Sequence, residues 1–201
     1  MIYAFTQLQL PTKEDEAKEN DGTALARRIR SEREAKEWSL AALAERAGVS
    51  KAMLSKIERG EASPTAAILS RIAAAYGLTM AALFEPVGAA NPRLLRARDQ
   101  PLWRDPKTLY LRRQVFLGPS NPLELVEIEL PAGQEVGFPA SAYCLVQQVV
   151  WVLSNRLTIV EGADRHELAA GDRIEFGAPS DVVFRNEGAR SCRYLVALVR
   201  R

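Results

Sequence analysis

Residues 39–60 read SLAALAERAGVSKAMLSKIERG, and the rest of the chain is organised around them. Leu40, Leu43, Ala44 and Ala47 recur at i, i+3, i+4 and i+7, which gives one apolar face at helical period. Ser39 precedes the run as a natural N-cap, and Gly48 supplies the positive φ that a helix stop needs. Ser50 caps a second helix in which Leu54 and Ile57 point inward with Val49. Lys51, Ala52, Ser55, Lys56 and Arg59 are left outward. A short helix that carries small, polar and cationic side chains outward suits a DNA major groove, which admits one helix between two rows of phosphates.

The order of helix, Ala-Gly-Val-Ser, helix and Glu-Arg-Gly closely resembles the helix-turn-helix of the XRE, lambda-repressor-like family of transcriptional regulators. The resemblance covers about residues 23–84. Its carriers are ERAGVS, LSKIERG, the SPT opening the next helix, and GLTMAALF. It implies double-stranded DNA as partner, with Lys51, Ala52, Ser55 and Lys56 at base edges and Arg33, Ser50, Arg59, Ser63 and Thr65 at phosphates. It also implies that Arg33, near the end of the first helix, pairs with Glu58 and orients the recognition helix. Where the family often has a phosphate-contacting glutamine after the first cap, this chain has Leu40.

Around this core the reading is of five helices. Thr23 caps a first helix from Ala24 to about Glu37, with Leu25 and Ile29 inward and Trp38 closing the core. Ser63 or Thr65 caps a fourth helix with Pro64 in its first turn, and Ile68, Leu69, Ile72, Ala73 and Tyr76 form its stripe. Gly77 ends it, and Thr79 caps a last turn. Charge follows the same map. The chain has a formal net charge of +2 over 201 residues, but residues 1–22 carry −3, residues 23–84 carry +4 and the remainder +1. The excess lies where phosphates are expected. Residues 1–22, polar and acidic after Pro11, read as a mostly disordered tail. Residues 85–104, with prolines, glycine and arginines, read as a linker.

From Leu109 the grammar changes to short alternating runs (LYLRRQVFL, LELVEIEL, QVVWVL, RLTIV, RIEF, VVFRN, CRYLVALV) separated by turn signals such as PAG, SN, EGAD and AAGD. Many short strands with regular turns predict an antiparallel barrel or sandwich. WVL before a turn, AAGD and P-x-D-x-x-F-R-N resemble the cupin double-stranded β-helix over about residues 109–199. The expected fold class is therefore α+β multidomain: a five-helix helix-turn-helix domain, then an all-β cupin-like barrel at 105–201.

Many cupins hold a divalent metal through histidines and a glutamate. Here the glutamate position falls on Gln148, two histidine positions fall near Ser141 or Ala142 and Tyr143 or Cys144, and the last falls on Val182. An amide and an aliphatic chain do not replace carboxylate and imidazole. The single histidine, His166, lies on another strand. No metal, cofactor or catalytic residue is therefore expected. The two cysteines, Cys144 and Cys192, stand in no ligand spacing and are expected reduced. No signal peptide and no apolar run of about 18 residues is apparent, so a cytoplasmic protein without a membrane span is expected.

The resemblance implies a homodimeric regulator whose metal-free barrel senses a small molecule or dimerises. Strand alternation suggests Tyr143, Gln148, Trp151, Phe176, Phe184 and Tyr194 as pocket residues. Two other classes fit the sequence: a metal-free, isomerase-like cupin enzyme with a fused DNA-targeting domain, and a protein-interaction module.

Overall fold

The computed structural model describes residues 13–84, 92–118 and 121–200, with side chains from Thr23 onward. Five helices come first: α1 (Lys13–Ala35), α2 (Leu40–Ala47), α3 (Lys51–Glu58), α4 (Ala66–Tyr76) and α5 (Met80–Leu83). α1 begins eleven residues before Ala24, so Thr23 lies inside a helix and does not cap one. Lys, Glu and Ala between positions 13 and 19 favour helix. Residues 1–12 of the predicted tail lie outside the described residues, as do residues 85–91 of the predicted linker.

The caps follow the local chemistry. Ser39 Oγ accepts from Ala42 N, Ser50 Oγ from Met53 N, and Thr79 Oγ1 from Ala82 N. Gly48 takes φ 60°, and its N–H returns to Ala44 O, which makes the sharp turn between α2 and α3. Thr65 is the cap of α4, so Pro64 stands just before the cap and not in the first turn. The apolar stripes meet as predicted: Ile29, Leu43, Leu54, Ile57, Leu69, Ile72 and Leu83 are almost fully buried in one cluster. Tyr76 stacks on Trp38 at 5.8 Å, and its phenol donates to Ile29 O at 2.8 Å.

The second half is antiparallel throughout. One sheet has the order β1-β2-β3-β10-β5-β8, built from β1 (Leu102–Arg104), β2 (Leu111–Gly118), β3 (Asn121–Leu130), β5 (Val146–Ser154), β8 (Arg173–Glu175) and β10 (Cys192–Arg200). The other has the order β4-β9-β6-β7, from β4 (Glu135–Phe138), β6 (Arg156–Glu161), β7 (Asp164–Ala169) and β9 (Val182–Arg185). The sheets face each other across Val126, Ile128, Leu130, Val150, Val152, Leu157, Ile159, Phe184 and Tyr194. β1 falls within the predicted linker, where it adds an edge to β2. A single residue, Asn155 at φ 62°, turns β5 into β6, and its side-chain amide donates to Ser191 O at 2.8 Å.

The helices also close one end of the β-domain. Ala66 of α4 belongs to the barrel core, and Met80 and Trp103 pack against both hydrophobic clusters. Two buried carboxylates tie the junction. Asp105, 2% exposed, accepts from Ala66 N at 2.6 Å through Oδ2 and from Lys107 N and Thr108 N through Oδ1. Glu124 accepts from the Thr79 hydroxyl at 2.9 Å. The β-domain therefore holds the first amide of α4 and the cap of α5.

Candidate functional site

Two regions meet the requirements of a functional site. The first is the outer face of α3. Leu54 and Ile57 are buried, whereas Lys51, Ala52 and Lys56 are exposed and Ser55 is half-buried. At 100° per residue these four outward positions share one arc of roughly 140°. Arg59, at the end of the helix, forks onto Glu61 with both contacts at 2.6 Å and also donates to the Ser55 hydroxyl. Ser63 is exposed, Ser50 and Thr65 serve as caps, and Thr65 is half-buried.

Arg33 is the most constrained of the predicted phosphate residues. Its Nε donates to Glu58 Oε1 at 2.7 Å, Nη2 to Glu58 Oε2 at 2.8 Å, and Nη1 to Trp38 O at 2.9 Å. The expected pair is present as a two-pronged bond with both side chains largely covered. Glu58 holds the Arg33 guanidinium above its ordinary pKa through this hydrogen bond. The geometry fixes the end of α3 against α1 and leaves the Arg33 side chain 13% exposed. Beside it, Arg46 stacks over Trp38 at 4.5 Å.

The second region is a cavity of about 100 Å³ at the junction of the two domains. Ser70 and Ala73 of α4 and Thr79 and Met80 at the start of α5 form one side. Tyr110, Arg112, Tyr143, Gln148, Phe184 and Tyr194 form much of the other. Four of the six predicted pocket residues thus come together: Tyr143, Gln148, Phe184 and Tyr194. Burial holds the Tyr143 and Tyr194 phenols well above their ordinary pKa, so both remain protonated.

Trp151 is a correction. Val150 and Val152 point inward, so the residue between them must point out, and Trp151 is 49% exposed with its indole N–H donating to Gly171 O. Gln148 and Trp151, three apart on one strand, cannot share a face. Phe176 is the other correction. It lies behind the wall, 5.6 Å from Tyr143 and 6.0 Å from Phe184, and supports the cavity without lining it.

The metal-ligand positions that the cupin resemblance implied, Ser141 or Ala142, Tyr143 or Cys144, Gln148 and Val182, supply neither imidazole nor carboxylate. These residues do not fit a divalent metal. His166 stands on β7, its Nε2 4.0 Å from Glu161 Oε2. Among the described residues no three His, Cys, Asp or Glu side chains cluster as metal ligands, and no helix is long and apolar enough to cross a membrane.

Sequence reasoning missed Asp105, Arg112 and Glu124. A signal for two of them was present. Tyr110, Arg112 and Gln114 share inward parity on one strand, and Glu124, Val126, Ile128 and Leu130 share it on the next. A charge at an inward strand position is the anomaly that marks a site.

Comparison with known proteins agrees with this architecture. The helix-turn-helix family HTH_3 matches residues 29–83. Over 176 residues the chain is 27% identical to the HTH-type transcriptional regulator SutR of Escherichia coli (strain K12), covering 88% of this chain and 94% of that protein. Over 64 residues it is 44% identical to the uncharacterized HTH-type transcriptional regulator Rv0474 of Mycobacterium tuberculosis, covering 32% of this chain and 46% of that protein. The crystal structure of an HTH_3 family transcriptional regulator from Vibrio cholerae superposes with a TM-score of 0.74 at 27% identity, over 90% of this chain and 98% of that one. Residues 29–83 thus form a helix-turn-helix domain of the HTH_3 type, followed by an antiparallel β-domain, in an arrangement similar to that of the Vibrio cholerae HTH_3 family transcriptional regulator.

Proposed function

We propose that this protein is a cytoplasmic, homodimeric, sequence-specific DNA-binding regulator whose interdomain cavity receives a small effector. The observation that carries the reading is the position of the cavity. Its walls come from the β-domain on one side and from α4 and α5 of the DNA-reading bundle on the other. A molecule that fills it touches both domains, and it shifts DNA affinity by its differential affinity for their arrangements.

Lys51, Ala52, Ser55 and Lys56 are assigned to base edges. Ser50, Arg59, Ser63, Thr65 and Arg33 are assigned to phosphates. For Arg59 this means that DNA must compete with Glu61, and for Ser55 with the Arg59 guanidinium. Lys51→Ala or Lys56→Ala should weaken binding to a cognate operator by about 1–3 kcal/mol. Fluorescence anisotropy on DNA from upstream of the gene, against a scrambled duplex at two salt concentrations, is the assay. Unchanged affinity and sequence preference in both variants would remove α3 as the reading helix.

Dimerisation has a surface to rest on. The outward residues of β5 and β10 include Val149, Trp151, Leu153, Leu195, Ala197 and Val199, with Gln147 and Arg193 at the ends, and Leu195 pairs directly with Trp151 across the strands. Trp151, Leu153 and Val199 are 49%, 36% and 41% exposed and form an apolar patch on this sheet face. A second copy is the occupant that the DNA-binding geometry asks for, because two recognition helices about one DNA turn apart match a palindrome. Sedimentation velocity at micromolar concentration tests it, and a monomer throughout would refute it. The residues that replace metal ligands and the regulator names of the relatives favour sensing over catalysis.

A further inference from the structure

One group in the interdomain cavity is required neither for packing nor for reading DNA. Arg112 lies on β2, 5% exposed, at the inward parity it shares with Tyr110 and Gln114. Among the described residues its guanidinium donates no hydrogen bond and forms no ion pair. Its close neighbour is the Phe84 ring, 5.4 Å away. Glu124 acts on it through space, while the Glu124 Oε1 atom is engaged by the Thr79 hydroxyl at 2.9 Å and by Arg200 Nε at 3.4 Å. Glu124 is thus shared with Thr79 and Arg200 and does not serve Arg112 alone.

Arginine does not shed its proton to escape burial, so such a charge needs a partner. Burial pulls the Arg112 pKa down from its ordinary value, as expected of a cation stripped of water without full compensation. The cavity wall is where a dissolved anion can supply that compensation. No other cationic side chain lines the cavity, so its charge requirement is single. The same cavity is lined by aromatic and amide groups. The Gln148 amide nitrogen, beside the Tyr143 phenol, has no well-aligned acceptor of its own.

We propose that the cavity binds a small organic monocarboxylate, its two oxygens on the Arg112 guanidinium and its apolar body against Tyr143, Phe184 and Tyr194. This rests on the reading of the cavity as the effector site and assigns the effector's chemical class. The planar guanidinium fork matches a carboxylate in two parallel hydrogen bonds. A volume of about 100 Å³ suits acids of roughly four to eight heavy atoms and excludes nucleotides and sugar phosphates. The opposite wall is Thr79 and Met80, so the acid's body abuts the cap of α5.

The experiment uses the full-length protein with propionate, butyrate and isovalerate, and with propionamide, butyramide and isovaleramide as neutral isosteres. The acids should raise the thermal unfolding midpoint saturably, and the amides should not. Arg112→Met should abolish the response without lowering its own midpoint, because it removes an uncompensated charge. Arg112→Lys, which keeps the charge and loses the fork, should bind about tenfold more weakly by calorimetry. Equal stabilisation by amides, acid binding that survives Arg112→Met, or no stabilisation by any acid would each overturn the proposal. So would a lowered midpoint in Arg112→Met. DNA anisotropy separates the two readings. Arg112-dependent acid binding that leaves DNA affinity unchanged keeps this proposal and defeats the effector reading. A neutral compound that alters DNA affinity from this cavity does the reverse.

Discussion

Replacing Asp105 with alanine tests whether the β-domain holds the DNA-reading bundle in place. The carboxylate is 2% exposed and accepts three backbone N–H groups. Ala66 N lies 2.6 Å from Oδ2, and Lys107 N and Thr108 N each lie 2.8 Å from Oδ1. Ala66 is fully buried, so its amide loses its partner with no route to water. That orphan costs about 2 kcal/mol. Lys107 is exposed and Thr108 half-buried, so water replaces much of the loss there, and about 1 kcal/mol is assigned to the pair. The expected destabilisation is therefore about 3 kcal/mol. Thr65→Ala removes only the ordinary cap of the same helix, a 3.4 Å bond to Ile68 N, and should cost about 1 kcal/mol. Urea unfolding followed by tryptophan fluorescence is the assay, since Trp103 packs on Phe84 across the junction and Trp38 reports the helical core. A loss below about 0.5 kcal/mol for Asp105→Ala, or a Thr65→Ala loss as large as that of Asp105→Ala, would refute the claim that this contact joins the domains.

Arg33→Ala leaves Glu58, nearly covered, without its two-pronged partner, and should destabilise by about 3 kcal/mol in urea. An effect under about 1 kcal/mol would mean that the pair is solvated and worth no more than a surface bridge. Burial pushes the Cys192 thiol from its ordinary 9.0 up to about 11. The folded state therefore prefers the neutral thiol. Its stabilising contribution is complete below pH 9 and is lost as pH rises through about 11. The buried phenols of Tyr76 and Tyr110, raised by desolvation, add to the same alkaline loss. The urea midpoint should be flat from neutral pH to about 8.5 and fall above 9, and a flat profile throughout would contradict it. Thiol reagents should label exposed Cys144 and spare buried Cys192, with mass spectrometry of the labelled peptides as the check. Trp151→Glu should convert the proposed dimer to monomer in sedimentation while leaving the thermal midpoint of the monomer unit within a few degrees. A dimer that persists would move the interface elsewhere.

The helix-turn-helix was legible because each of its signals is local. Ser39, Gly48 and Ser50 cap or turn within three or four residues of the groups they satisfy, and Leu54 and Ile57 declare their face by spacing alone. The start of α1 was less legible because the segment before Thr23 has helix-favouring composition but no apolar stripe, and charged residues read equally well as a solvated tail. Strand existence was also legible, whereas the pocket was only partly so. Tyr143, Gln148, Phe184 and Tyr194 follow from parity, and the error at Trp151 came from choosing a large aromatic over the period of two. The junction was the least legible part. The partners Asp105 and Ala66 are 39 residues apart, and Thr79 and Glu124 are 45 apart. Nothing in the local sequence pairs them.

The polar residues at that junction divide into two kinds, and the division bears on function. Asp105 is fully spent: its oxygens serve three amides, so it is explained by holding α4 in place. Arg112 is not spent, although it is as deeply covered and stands on the next strand. A protein selected only for a rigid junction gains from replacing such a cation with an apolar chain of similar volume. Its presence at a cavity wall, opposite the helix pair that follows α3, fits a junction whose lowest free energy is reached when something else is bound. In that state the anion compensates Arg112, and contact with Thr79 and Met80 favours one setting of α5 against the barrel. The affinity such an acid gains from closing the junction is the same free energy by which it biases the DNA-binding domains. DNA binding should therefore change acid affinity by the factor by which the acid changes DNA affinity, and titrating the acid into free and operator-bound protein measures both sides of that equality. Unequal factors would show that the acid and the DNA act on different equilibria.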